Sequence, residues 1–298
     1  MGRVEPASFP ESDPCPQAHR CRQLQVICPE VRDPARVSVA EAKPEGPSRG
    51  TVVFLSGGGG RSWWGDEGST TEFLMRLRSD GFGLIQVRWK DEWLQAAPGE
   101  RAGPQRLGCR PATLLRWIQD EFHPPLEPAA PTACGFCVTG ASGGASQLTY
   151  ALAFYGLDQI VDAAIPSGGP PHAALDRACR RDPADRAYWY DGPAPRIIDS
   201  SWGFPAGSGP CDSHDESWTE AWQRSSVDLG GADYDYPDTR VHVLIGQLDR
   251  ILPHAEDYVA RLRAEGSGPV ELEIVSGMGH SIASSPEGLA ALRRILLA

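Results

Sequence analysis

What this 298-residue chain lacks narrows the field first. No stretch approaches the roughly 18 to 20 uninterrupted apolar residues of a membrane-spanning helix, so no membrane span is expected. No basic cluster exists beyond isolated pairs such as Arg180-Arg181, and the formal net charge is -11. A nucleic-acid partner would want a basic footprint, and none is expected here. The opening "MGRVEPASFPESDPCPQAHRC" is polar and proline-rich and lacks the apolar core of a signal peptide. There is no internal repeat and no long low-complexity tract. What remains is ordinary globular composition, 41% apolar and 22% charged, in a chain long enough to bury a substantial core.

The eight cysteines are an even number: Cys15, Cys21, Cys28, Cys109, Cys134, Cys137, Cys179 and Cys211. Several sit in loop-like context, which suits disulfides in an oxidising compartment. A secreted or periplasmic protein, its leader not among these residues, is therefore expected; a cytoplasmic one with buried thiols is the alternative. Cys134-Gly-Phe-Cys137 has zinc-like spacing, but no second CxxC or HxxxH accompanies it. It also opens an apolar run that reads as a strand, not a helix, so its role is structural and no metal is expected.

Residues 1–20 read as a loosely held arm. Leu24–Cys28 and Arg36–Ala42 alternate like antiparallel strands. Thr51–Leu55 is a continuous apolar run of the kind buried on both faces of a parallel sheet. Strands at 84–89, 136–139, 160–165, 241–245 and 270–275 then alternate with helical stripes, among them Phe73/Leu74/Leu77, Leu114/Leu115/Ile118/Phe122 and Ala145/Leu148/Leu152/Tyr155. Ser69-x-x-Glu72 and Ser284-x-x-Glu287 have the form of capping boxes. Residues 166–238 break the pattern, being rich in Pro, Gly, Asp and aromatics. They read as an insertion carrying short helices. The expectation is an α/β fold, a mostly parallel central sheet flanked by helices, forming one domain over 21–298.

Gly140-Ala141-Ser142-Gly143-Gly144 lies between an apolar strand and a helical stripe. A sharp strand-to-helix turn needs small neighbours and lifts the serine hydroxyl to the carboxyl end of the sheet, beside a helix N-terminus. The plainer alternative is a glycine-rich helix start with a buried capping serine; the context favours a nucleophile. A serine nucleophile needs a base and the base an orienting acid. Asp249 falls just past strand "VHVLIG", and His280 just past strand "VELEIV". Asp257, Asp228, Asp233 and Asp235 are fallback acids.

Strand-GASGG-helix, strand-GQLD and strand-GMGH together resemble the α/β-hydrolase superfamily over about residues 50–298. The resemblance implies that acid and histidine follow the nucleophile in that order. It implies a cap or lid in the insertion before the acid-bearing strand. It also implies an oxyanion hole from the amide of Gly143 and one from Ser56-Gly57-Gly58-Gly59-Gly60, which is similar to the HGGG loop of esterases and lipases. Gly58 is the expected second donor, with Gly57 and Gly59 beside it. A P-loop would require Lys-Ser/Thr after the glycines, and a dinucleotide fingerprint a helix directly after them; Arg61-Ser62 and Trp63-Trp64-Gly65 supply neither. At least one of Trp63 and Trp64 is expected to line the substrate cleft, the alternative being that one or both pack under the loop, with Trp89 and Trp93 weaker candidates.

The expected activity is hydrolysis of small-molecule or polymeric carboxylic esters through an acyl-enzyme, by a monomer needing no cofactor. Peptide or amide cleavage, or acyl transfer, by the same residues is the alternative, and a non-catalytic hydrolase-like binding protein the second.

Overall fold

The computed structural model describes residues 1–10, 14–65, 68–123, 134–190 and 192–298. In chain order the elements are β1 (Arg3–Pro6), β2 (Arg20–Ile27), β3 (Ala35–Ala42), β4 (Gly50–Leu55), α1 (Gly68–Ser79), β5 (Phe82–Trp89), α2 (Gly103–Leu107), α3 (Cys109–Phe122), β6 (Phe136–Ala141), α4 (Gly143–Tyr155) and β7 (Ala163–Ser167). There follow α5 (Leu175–Arg180), α6 (Ala194–Ser200), α7 (Pro210–Ser213), α8 (Thr219–Ser225), β8 (Arg240–Gly246), α9 (Leu252–Glu265), β9 (Val270–Val275) and α10 (Pro286–Leu297).

The strands form one sheet in the order β1-β2-β3-β5-β4-β6-β7-β8-β9. β1, β2 and β3 pair antiparallel, as do β3 and β5; every pairing from β5 through β4 to β9 is parallel. Every residue of β4 and β7 is buried. Continuous apolar runs end up there because helices cover both faces. Side chains alternate across the pleat. Val53 and Leu55 enter a core with Leu114 of α3, Leu148 and Leu152 of α4, and Leu262 of α9. Val52 and Phe54 enter the opposite core with Phe73 and Leu77 of α1 and Leu292 and Ile295 of α10.

Some expectations give way. Residues 1–20 are not simply a loose arm, because Arg3–Pro6 pairs with Leu24–Ile27 as the outermost strand and the Gly2 amide donates to Thr113 Oγ1 at 2.9 Å. The strand expected from Ile160 begins at Ala163, after a 3-10 turn at Leu157–Gln159. The stretch between β7 and β8 starts after Ser167, since Pro166 and Ser167 still pair in the sheet. Ser69 lies inside α1 and does not cap it. Ser285, not Ser284, caps α10, its Oγ accepting from the Gly288 amide at 3.0 Å. The cysteine sulfurs meet at bonding distance in four pairs, Cys15–Cys21, Cys28–Cys109, Cys134–Cys137 and Cys179–Cys211.

Candidate active site

The site is built where β6 ends and α4 begins. Ser142, between them, has φ 51° and ψ -112°, a conformation that non-glycine residues rarely hold. Close packing enforces it. A Cβ at Gly144 would stand 2.2 Å from the Leu55 carbonyl oxygen, and one at Gly140 2.2 Å from the Gly144 carbonyl oxygen. The Ser142 amide donates to the Ser167 carbonyl at 2.8 Å, pinning the turn to the end of β7.

The next two parallel strands deliver the partners. Asp249 follows β8 and His280 follows β9, both at the carboxyl edge where Ser142 sits. The Asp249 side chain is only 1% exposed. It accepts from the Ile251 amide at 3.0 Å and from His280 Nδ1, at 3.1 Å to Oδ1 and 3.0 Å to Oδ2. His280 Nε2 lies 2.9 Å from Ser142 Oγ. With its proton on Nδ1 and donated to the carboxylate, the neutral ring turns a lone pair toward the serine hydroxyl, which donates to it. The bond to Asp249 raises the imidazole pKa above its ordinary value; the carboxylate's charge adds to this and partial burial opposes it. An imidazole so held can take a proton from the hydroxyl and return it.

Among the described residues no other candidate acid bonds to the His280 ring. Asp257 pairs with Arg177 at 2.7 Å, and Asp233 accepts from the Asp235 amide. Asp228 is buried and makes no bond to His280.

The glycine loop lies against the serine turn. Gly58 has φ +56°, and of the four glycines only it lines the cavity that contains Ser142, Gly143 and His280. Trp93 Nε1 donates to the Gly58 carbonyl and the Trp93 amide to the Gly59 carbonyl, both at 3.3 Å. Ser56 Oγ donates to the Ser62 carbonyl at 2.7 Å and closes the loop. Among the described residues the Gly58 and Gly143 amide nitrogens have no acceptor.

Trp63 and Trp64 do not line the cavity, contrary to expectation. Trp63 Nε1 donates to the Pro14 carbonyl at 3.1 Å, and the Arg88 guanidinium lies 4.7 Å from its ring. Trp64 is buried against Phe54 and Phe73, at ring distances of 4.7 Å and 5.7 Å. Trp89 and Trp93 are buried beneath the loop and brace it. The apolar walls come instead from the stretch between β7 and β8, through Trp189, Tyr190, Pro193, Ile197 and Ile198, with Leu94 beside the glycine loop. The density of aromatics there was the available signal. The cavity measures about 560 Å³, within the range of small-molecule pockets. Among the described residues no group of three or more His, Cys, Asp or Glu side chains is arranged to hold a metal ion.

Solved structures share this arrangement of elements. An esterase/lipase from an uncultured bacterium aligns with a TM-score of 0.52 at 17% identity, covering 95% of this chain and 84% of its own. The fold is that of the α/β-hydrolases. A carboxyl esterase 2 from the mycorrhizal fungus Tuber melanosporum aligns with a TM-score of 0.55 at 16% identity, over 93% of this chain and 85% of its own. A hyperthermophilic esterase from the archaeon Pyrobaculum calidifontis does so with a TM-score of 0.54 at 17% identity, over 96% and 83%. No protein-family model and no curated protein matches the chain. At these identities the α/β-hydrolase likeness is one of fold.

Proposed function

We propose that the chain hydrolyses carboxylic esters of small molecules through an acyl-enzyme on Ser142. The observation that carries this reading is the hydrogen-bonded series Ser142 Oγ, His280 Nε2, His280 Nδ1, Asp249, at 2.9 Å and 3.0 Å, with the serine held in a strained turn facing an apolar cavity. The esterase and lipase titles of its fold relatives agree with it.

Ser142 Oγ attacks the ester carbonyl carbon while His280 Nε2 takes its proton. Asp249 holds the tautomer and stabilises the imidazolium. The carbonyl oxygen becomes an anion facing the Gly143 amide at the N-terminus of α4 and the Gly58 amide of the glycine loop, and such donors supply several kcal/mol in the transition state. Collapse expels the alcohol, which takes the proton from His280. Water then gives its proton to His280 and its oxygen to the acyl carbon; the second collapse returns the proton to Ser142 and releases the acid. The stretch between β7 and β8 acts as the cap over the acyl-enzyme. Export belongs to the same proposal, and the four cysteine pairs support it.

The test is a panel of p-nitrophenyl esters of increasing chain length, with Ser142→Ala and a fluorophosphonate probe. The wild type should turn over and label, and Ser142→Ala should lose at least about a thousandfold in kcat and fail to label. Wild-type turnover in Ser142→Ala would refute the proposal.

A further inference from the structure

One polar side chain in the cavity wall takes no part in the chemistry above. His172 follows β7, is 6% exposed, and lines the cavity that holds Ser142. Its main chain is fixed, the carbonyl accepting from the Val227 amide at 3.0 Å. Its ring packs against both Trp93 and Tyr150, with centroids at 6.2 Å and 5.8 Å, and those two rings also meet each other at 6.1 Å. Trp93 in turn donates to the Gly58 carbonyl, so His172 stands on the glycine-loop side of Ser142. The Tyr150 hydroxyl gives its one proton to the Ser225 carbonyl at 2.7 Å, so it does not donate to His172.

Nδ1 of His172 is sealed from solvent and has no partner. Among the described residues Nε2 has none either, and it is the nitrogen left accessible at the cavity surface. A neutral imidazole has one donor and one acceptor. An unpaired acceptor is tolerated in an interior better than an unpaired N–H. The proton therefore belongs on Nε2, and the donor faces the cavity. Burial, with the neighbouring His254 second, pushes the imidazole pKa down to about 3, so the ring is uncharged at working pH. The cavity wall is mostly apolar, Arg250 and Asp249 also lining it, and an anion placed at His172 would lose its hydration without gaining a counter-charge from this ring.

We propose that His172 is a substrate-selecting residue, its Nε2–H donating to an uncharged acceptor oxygen carried on an otherwise apolar part of the ester. The class is an ester whose acyl or alcohol chain bears a keto, ether or hydroxyl oxygen a few bonds from the scissile carbonyl. This rests on the ester-hydrolase reading of the same site. An all-apolar substrate would fill the cavity but strip water from the Nε2–H and leave it unpaired. A site built to make a hydrogen bond discriminates against an analogue that lacks it.

The experiment compares kcat/KM for two ester series. In one, a keto oxygen is walked along the acyl chain of p-nitrophenyl esters. In the other it is walked along the alcohol chain of butanoate esters. Each ester is set against its methyl-branched counterpart. At one position the wild type should prefer the keto ester by about tenfold or more. His172→Phe, which keeps a ring against Trp93 and Tyr150, should bring that ratio to about one; His172→Gln, whose amide can reach where Nε2 stands, should keep part of it. Melting curves establish that the variants are folded, and His172→Leu replaces the Phe variant if that one is not. No keto preference at any position, or a preference surviving in the folded Phe or Leu variant, overturns the assignment while ester hydrolysis stands. A wild type that cleaves none of the esters removes both readings.

Discussion

Gly143 and Gly58 meet back to back: a Cβ on Gly143 would stand 2.1 Å from the Gly58 carbonyl oxygen and 2.8 Å from its amide nitrogen. The two proposed oxyanion donors therefore share one packing contact, and a side chain at Gly143 must move the Gly58 loop. At Gly58 itself a Cβ would meet nothing within 4 Å, although φ is +56°. The two glycines should respond differently to alanine. Gly143→Ala is expected to lower kcat by about a hundredfold or more, the loss associated with one misplaced donor. Gly58→Ala keeps its amide and meets only left-handed strain, of order 1 kcal/mol, so it should lose no more than about tenfold. Steady-state kinetics on one p-nitrophenyl ester, with melting curves for both variants, decides; equal losses would deny the shared contact.

Asp249→Asn tests the orienting acid and the direction of the His280 shift together. In the proposed mechanism His280 must be neutral to accept the serine proton, so activity falls as pH drops through its pKa. The bond to Asp249 raises that pKa, which sets the acid limb of kcat/KM above the ordinary imidazole value of about 6.5. Removing the carboxylate's charge should move the limb to lower pH while kcat falls by about 10³ to 10⁴. A limb that stays in place would mean that another group sets it.

Trp64 and Trp189 show where the sequence could be read and where it could not. The strand-turn-helix around Ser142, and the loop positions of Asp249 and His280 after successive parallel strands, follow from apolar runs and glycine placement, which are local signals. Which way a tryptophan points after a glycine loop is settled by packing. Trp64 turns inward because Phe54 and Phe73 present a face to it, and those residues come from different elements. Trp189 reaches the cavity because the stretch between β7 and β8 folds back over the sheet edge, which no periodicity announces. Trp64→Ala should destabilise the fold by about 3 to 5 kcal/mol and leave KM nearly unchanged. Trp189→Ala should raise KM several-fold with little effect on the denaturation midpoint. The reverse pattern would return Trp64 to the cleft.

Asp228 should give the fold a pH dependence independent of catalysis. Its carboxylate is buried, and its Oδ1 has no partner. Burial first, then the charges of Asp176 and Asp257, push its pKa up to about 7. The unfolded value is near 3.9. Between about pH 4 and pH 7 the folded state thus holds a proton that the unfolded state has released, and stability falls as pH rises through that window. Above it the loss is complete, and below it the group contributes no penalty. Asn at this position cannot ionise, so Asp228→Asn should remove that slope. Allowing for an unpaired amide hydrogen, the variant should be more stable than the wild type by about 2 kcal/mol at pH 8, with a smaller difference at pH 5. Denaturant unfolding at the two pH values measures this, and a difference that does not grow from pH 5 to pH 8 would show that Asp228 is ionised in the folded protein throughout.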